Sequence, residues 1–465
     1  MASGPDGFVS DPRYEAEFTR ARELFLAHPG RWRVIYHYDG DGIASASSAL
    51  RALARLGCPA QATPLLGVER ERMAELLRAT AGPVLVVDTG ASWLDLFARN
   101  PHPVVVLDHH RYPGLPHPPA LPEHVAFVDP LDWGVDGMEE MCASTLTWLF
   151  TVFLDPVNWD NAPWGLSGAI ADRQHVGGFR GLNARLTEEA SKRSLIVQRP
   201  GLALFGRTIG EALARSIDPY FAGLSGQPEA VARHVRGLGI EPDRPLSSLG
   251  PAELARLTED LRAWLVAHRV LPEFVAILDQ PRWFVPALGM DAEELANLQN
   301  ATGRVGTPGV GVALALGDAG ALQRAREAEG TWRDGILAGL RRLEEGGLNS
   351  MSALQWFASP DTTLAGTQAG LAMNYLLDPD RPVVVFSEGA GPVKVSARGT
   401  LRLVARGLDL SAVCRIAAQT VGGEGGGHKV ASGATIPPGT RDQFLGVADR
   451  EIAGQFHAHA GGARA

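Results

Sequence analysis

Two short apolar runs, "PVLVVD" (83–88) and "PVVVLD" (103–108), each end on an aspartate, and a helical stretch precedes each, "ERERMAELLRAT" and "SWLDLFAR". Continuous apolar runs bounded by polar residues are the pattern of strands buried on both faces. "RVIYHY" (33–38) reads as another strand, followed by the helix "IASASSALRALARLG" (43–57), which Gly57 closes. "HVAFVD" (124–129) adds a strand before the helix "MEEMCASTLTWLFTVF" (138–153). This alternation restricts the N-terminal part to an open, mostly parallel α/β sheet. Ligands of such sheets gather at the carboxyl ends of the strands.

At 465 residues the chain is long enough for two or three cores. Three domains are expected: 1–190, with the parallel sheet; 191–345, a mainly helical middle region; and 346–460, a smaller α/β domain facing the first across a cleft. The middle region contains the helices "GPAELARLTEDLRAWLVAH" (250–268) and "AGALQRAREAEGTWRDGILAGLRRLEE" (319–345). In the third domain, "RPVVVFS" (381–387) and "PVKVSA" (392–397) read as strands and "LSAVCRIAAQT" (410–420) as a helix. The net charge of −9 excludes a bulk cation that coats nucleic acid, although it leaves a local basic groove open. Cys58, Cys142 and Cys414 are too few for a disulfide framework or a cysteine zinc site. The opening "MASGPDGFVSDPRYEAEF" lacks a leader-type apolar run, and no run reaches membrane-spanning length. A cytoplasmic protein without a membrane partner is therefore expected.

Asp88 ends one strand in "VVDTG" and Asp108 the next in "VLDHH", where His109 and His110 follow. The first strand runs into "HYDGDG", with His37, Asp39 and Asp41, and the helix "LSGAIADRQH" carries Asp172 near its end. Carboxylates at the ends of adjacent parallel strands converge on one edge of the sheet, where like charges repel unless something neutralises them. A divalent cation, or two sharing a carboxylate, removes that cost. Asp and His donors without sulfur suit Mn²⁺ or Mg²⁺ better than Zn²⁺. Each residue alone has an ordinary alternative. Asp88 or Asp172 could cap a helix, "DGDG" could be a simple turn, and His109 could be a satisfied buried imidazole.

"HYDGDG", "VVDTG", "LDHH" and "SGAIADRQ" together resemble the four motifs of the DHH phosphoesterase superfamily, which includes RecJ exonucleases and nanoRNases. "KVSARG" (394–399) and "GGEGGGHKVASGATIP" resemble the substrate-binding motifs of its DHH-associated C-terminal domain. "VDPLDWGVDGMEEMCAST", "LFGRTIGEALARSIDPYFAGLSG" and "NLQNATGRVGTPGVG" are similar to archaeal RecJ-like proteins. The resemblance implies two Mn²⁺ ions, with Mg²⁺ as the substitute. Asp39 and His37 would hold one ion and Asp41, His109 and Asp172 the other, with Asp88 bridging. It directs His110 toward the scissile phosphate and makes Asp108 a supporting group. Bacterial RecJ and nanoRNases carry a ligand histidine four residues before the first aspartate, where this chain has Ile35. His37 stands two before it, as in the archaeal-type sequences.

Two ions roughly 3.5–4 Å apart clamp a phosphodiester and acidify a water between them. Gly425, Gly426 and Gly427 have no Cβ, so their backbone could approach a phosphate, with Arg398 and His428 adding contacts; a flexible linker is the plain alternative. "GGEGGGHK" misses the phosphate-loop pattern, because His428 stands where lysine is required, and "GVGVALALG" (309–317) lacks dinucleotide-binding glycine spacing. Trp133, Trp164 and Trp356 are candidates for base stacking or for the core. The expected function is an exonuclease on single-stranded DNA or RNA. A phosphodiesterase for nanoRNA, pAp-like or cyclic dinucleotide substrates is the second reading. A catalytically inactive replication scaffold is the third, and the retained motif acids oppose it. The archaeal resemblance also implies that a replication or repair protein docks on the middle region.

Overall fold

Five strands form the first sheet: β1 (Trp32–His37), β2 (Ala60–Leu65), β3 (Val84–Val87), β4 (Val104–Leu107) and β5 (Val125–Val128), all parallel in the order β2-β1-β3-β4-β5. The computed structural model describes residues 11, 13–67, 69–112, 120–387 and 391–462. Alternate residues of each central strand enter opposite apolar layers. Trp32, Val34, Tyr36, Leu85, Val87, Val105 and Leu107 belong to one layer, which includes Phe18 and Phe25 of the Glu15–Ala27 helix and Leu146 and Phe150 of the Ala143–Leu154 helix. Ile35, Val84, Val86, Val104 and Val106 belong to the other, with Met73, Leu76, Leu77, Leu94 and Phe97. This double burial is why the strands read as continuous apolar runs.

β2 has no such run. It is an edge strand, "AQATPL", with its first residues exposed and Pro64 inside it, so the sequence gives little strand signal there. With β1 second in the order, chain connections leave it in opposite directions. The crevice between the carboxyl ends of β1 and β3 is therefore the topological switch point.

Close contacts divide the chain into two compact units, Met1–Gly201 with Pro281–Thr331, and Leu202–Gln280 with Trp332–Ala465. The stretch read from sequence as a middle region, 191–345, is thus shared between them. Its helices Ala292–Arg304 and Pro308–Ala315 pack on the Gly40–Arg55 helix of the first unit. Small residues permit the close docking: a Cβ on Gly303 would stand 1.8 Å from the carbonyl oxygen of Tyr38. Three short antiparallel strands, β6 (Val197–Arg199), β7 (Arg282–Val285) and β8 (Met290–Asp291), complete that unit.

The second unit contains a mixed sheet in the order β13-β14-β12-β11-β10-β9. Its strands are β9 (Asn349–Ser350), β10 (Gln355–Ala358), β11 (Val383–Ser387), β12 (Val393–Arg398), β13 (Glu424–Gly427) and β14 (Ala431–Ile436). Only the β10–β11 pair is parallel. The helices Ala365–Tyr375, Leu410–Thr420 and Arg441–Gly462 belong to the same unit. Among the described residues, no helix is long and apolar enough to cross a membrane. Residues 1–10, part of the segment read for a leader, lie outside the described residues.

Candidate metal centre

The candidate ligands at the β1–β3 switch point come from four separate segments: 37–41, 88, 109–110 and 172. "HYDGDG" is not a free turn: Asp39 caps the Gly40–Arg55 helix, its Oδ1 accepting the Gly42 N–H at 3.2 Å, so Asp41 falls in the helix's first turn. Asp41 is 3% exposed, and its two oxygens accept the N–H groups of Ala143 (2.9 Å) and Ser144 (3.0 Å) at the start of the Ala143–Leu154 helix. Asp88 follows β3 with φ of +58°, a left-handed conformation that aspartate tolerates better than most residues. Asp172 stands at the C-terminal end of the Ala162–Ala171 helix, where the helix dipole disfavours a carboxylate. Capping therefore does not account for its position.

Three groups of donor atoms lie close enough to share an ion, each within 4.8 Å mutually: His37–Asp39–Asp88, Asp41–His109–Asp172, and Asp88–His109–His110. The two oxygens of Asp88 face different groups. Its Oδ2 lies 3.4 Å from His37 Nδ1, and its Oδ1 lies 3.3 Å from His109 Nε2. His37 Nδ1 and Asp88 Oδ2 are buried and make no well-directed hydrogen bond, although His37 Nδ1 also lies 3.1 Å from Asp39 Oδ1. His109 Nδ1 lies 2.6 Å from the carbonyl oxygen of Gly137, which can only accept. Nδ1 thus carries a proton, which leaves Nε2 as the nitrogen directed at Asp88 and, at 3.8 Å, at Asp41. Ile35 is elsewhere, fully buried in the opposite apolar layer.

The electrostatics are those of crowded, buried acids. Burial pushes the Asp41 carboxyl up to about 8, with Asp88 and Asp172 adding to the rise. Asp172 goes up to about 6 through burial; His109 opposes this, while Asp88 and Asp39 reinforce it. Burial also works on Asp39, yet His37 and Arg304 outweigh it and hold the group well below the carboxylate range. His37 and His109 rise well above the usual imidazole value, because the acids around them overcome desolvation.

Asp108 is fully buried and belongs to none of the three groups. Its Oδ2 accepts the Ala91 N–H at 2.8 Å, and its Oδ1 accepts the His109 N–H at 2.9 Å and the Nδ1–H of His110 at 2.7 Å. It remains ionised, its pKa about 2, because the His110 and His109 charges outweigh its burial.

Sequence reasoning assigned no role to the Ala292–Arg304 helix. Asn300 Oδ1 accepts the Gly40 N–H at 3.3 Å, and Arg304 donates to the Tyr38 hydroxyl at 3.1 Å. The string "NLQNATGR" contains both, but nothing local in it reveals a partner some 260 positions away.

In the C-terminal sheet the glycine run is an edge strand, not a flexible linker. β13 pairs with β14 through Gly425↔Ala434, Gly426↔Gly433 and Gly427↔Ser432. A Cβ on Gly425 would stand 2.5 Å from the Cys414 carbonyl oxygen, whereas one on Gly426 would meet nothing within 4 Å. The register puts Gly426, Gly433 and Ser396 in one row, with Arg398 two residues beyond Ser396. Arg398 Nη1 donates to the carbonyls of Ala397 (2.9 Å) and Ser432 (3.4 Å). His428 is exposed in the turn between β13 and β14. Trp133 and Trp164 are buried in apolar clusters, so neither offers a face to a base; half-buried Trp356 stands edge-on to Phe386.

Residues 358–454 match the family model of the DHHA1 domain. An uncharacterized protein of Methanocaldococcus jannaschii is 26% identical over 440 residues, covering 94% of this chain and 96% of its own. Among solved structures, exonuclease RecJ bound to manganese superposes with a TM-score of 0.58 at 20% identity, covering 94% of each chain. CDC45 from Entamoeba histolytica superposes with a TM-score of 0.65 at 10% identity, covering 94% of this chain and 99% of that one. The chain thus carries a DHHA1 domain and shares the fold of RecJ over nearly its whole length.

Proposed function

We propose that the chain is a metal-dependent phosphodiesterase that removes nucleotides from the ends of single-stranded DNA or RNA, with two Mn²⁺ ions as cofactors and Mg²⁺ as the substitute. The observation that carries this reading is the Asp88 carboxylate, which turns one oxygen to the group of His37 and the other to His109. A buried carboxylate oxygen and an imidazole nitrogen without well-directed hydrogen bonds fit a cation, and a carboxylate–imidazole set without sulfur suits manganese. His37, Asp39 and Asp88 would hold one ion; Asp41, His109 and Asp172 the other. Bound there, divalent ions supply Lewis acidity toward phosphoryl oxygens and acidify a water.

The chain's own groups do the rest. Asp108 holds the Nδ1–H of His110 and favours its protonated form, which turns a donor toward a phosphate oxygen. Arg304 sets a permanent positive charge beside Asp39. In the C-terminal domain, Arg398, His428 and the uncrowded backbone at Gly426 offer phosphate contacts of their own. Likeness to an exonuclease over nearly the whole chain favours a polynucleotide substrate over a dinucleotide.

The test is hydrolysis of 5′- and 3′-labelled single-stranded DNA, RNA and dinucleotides with Mn²⁺, by wild type and Asp88→Ala. Loss of terminal nucleotides in wild type alone supports the proposal, and the label released gives the polarity. No hydrolysis by wild type refutes an enzymatic role, and cleavage of dinucleotides alone makes the protein a short-substrate phosphodiesterase.

A further inference from the structure

We propose that Gln174 is a positioning residue that ties two members of one metal triad, His109 and Asp172, into a single unit. The proposal rests on the two-ion reading of the site and adds a selectivity that reading lacks: occupancy of one ion depends on Gln174, and occupancy of the other does not.

Gln174 is 5% exposed, just beyond the helix end that carries Asp172. Its Nε2 donates to two acceptors, Asp172 Oδ2 at 2.9 Å and the Gly137 carbonyl at 2.8 Å. That carbonyl is the one that accepts from His109 Nδ1. One side-chain amide thus connects the orientation of Asp172 to the tautomer and tilt of His109. Gly137 and Asp172 present only acceptors, so the amide nitrogen must face them and the amide oxygen must face away. There Oε1 accepts the Nδ2–H of Asn183 at 2.6 Å, and Asn183 is itself fixed on the Gly181–Lys192 helix, its backbone N–H donating to Glu140. Nor can Gly137 be replaced freely, since a Cβ there would stand 2.4 Å from the His109 carbonyl oxygen.

Among the described residues, no side-chain amide donates to a member of the other triad. His37, Asp39 and Asp88 are arranged by the end of β1, the cap of the Gly40–Arg55 helix and the end of β3. The side-chain hydrogen bonds of Gln174 go to Gly137, Asp172 and Asn183 and to none of these three. Groups that orient metal ligands through hydrogen bonds typically change metal affinity about 10–100-fold when removed.

The experiment is calorimetric titration of the metal-free full chain with Mn²⁺, for wild type and Gln174→Met, which keeps length and burial but removes the donors. Wild type should bind two ions. In Gln174→Met one affinity should fall about 10–100-fold while the other is unchanged, with the melting temperature of the metal-free chain close to wild type. If that variant does not fold, Asn183→Leu removes only the anchor of the amide and should weaken the same ion less. Two unchanged affinities, or two that fall together, overturn the positioning role. Failure of wild type to bind manganese refutes the two-ion reading itself, and this inference with it.

Discussion

At the carboxyl end of the parallel sheet, a buried oxygen of Asp88 makes no well-directed hydrogen bond; at the glycine-rich edge of the C-terminal sheet, Arg398 already donates to two backbone carbonyls. The first region collects acids that repel one another and push Asp41 and Asp172 upward. In the second, β13 is a paired strand, and steric contact explains glycine at position 425 but not at 426. A ligand is thus written into the first region as an unmet electrostatic need. In the second it is written only as backbone left uncovered. The two kinds of signature respond to different perturbations.

Removing the shared carboxylate should have the largest effect. Asp88→Ala is expected to lower the rate of terminal nucleotide release by more than the roughly 10–100-fold that losses beyond the ligand shell cost, measured under single-turnover conditions with saturating Mn²⁺. Retention of most of the rate would mean that Asp88 is not shared between ions.

The second expectation concerns pH. In the metal-free fold Asp41 and Asp172 keep protons that the unfolded chain releases above its ordinary value of 3.8, so stability falls as pH rises from about 4 toward 8. His37 and His109 act in the same direction. Their raised values contribute stability in full below about 6.5, and it is lost as pH rises through their folded values. Asp39 and Asp108, held low, matter only in acid. Cations need these groups deprotonated, so Mn²⁺ should raise the melting temperature over an EDTA control more at pH 8 than at pH 6. A shift that is the same at both pH values would remove the acid cluster from the account.

Smaller effects should separate two neighbouring glycines. Gly425→Ala forces a methyl against the Cys414 carbonyl and is expected to cost about 1–3 kcal/mol in denaturant unfolding. Gly426→Ala meets open space and should change stability by no more than about 0.5 kcal/mol. It should instead raise KM for the labelled substrate. Equal destabilisation without a change in KM would reduce the glycine run to strand packing.

What the sequence made legible follows from how locally each feature is encoded. Strands β1, β3, β4 and β5 were readable because both of their faces are buried, and β2 was not, because its edge position leaves polar residues and Pro64 in the strand. The acids and histidines were readable because a parallel sheet carries its strand ends to one side. Asp172 joined them as an acid near the end of a predicted helix, not as a strand end. The glycine run gave no strand signal, since glycine has little β preference of its own. Arg304 and Gln174 were invisible as participants for a different reason. The first acts on Tyr38, 266 positions away, and the second through a backbone carbonyl 37 positions away, and no local pattern encodes either contact.

Anomalous diffraction at the manganese edge, from crystals of the full chain grown with Mn²⁺, tests the two-ion centre most directly. Two peaks are expected, one among His37, Asp39 and Asp88 and the other among Asp41, His109 and Asp172. A single peak, or peaks outside both triads, would contradict it.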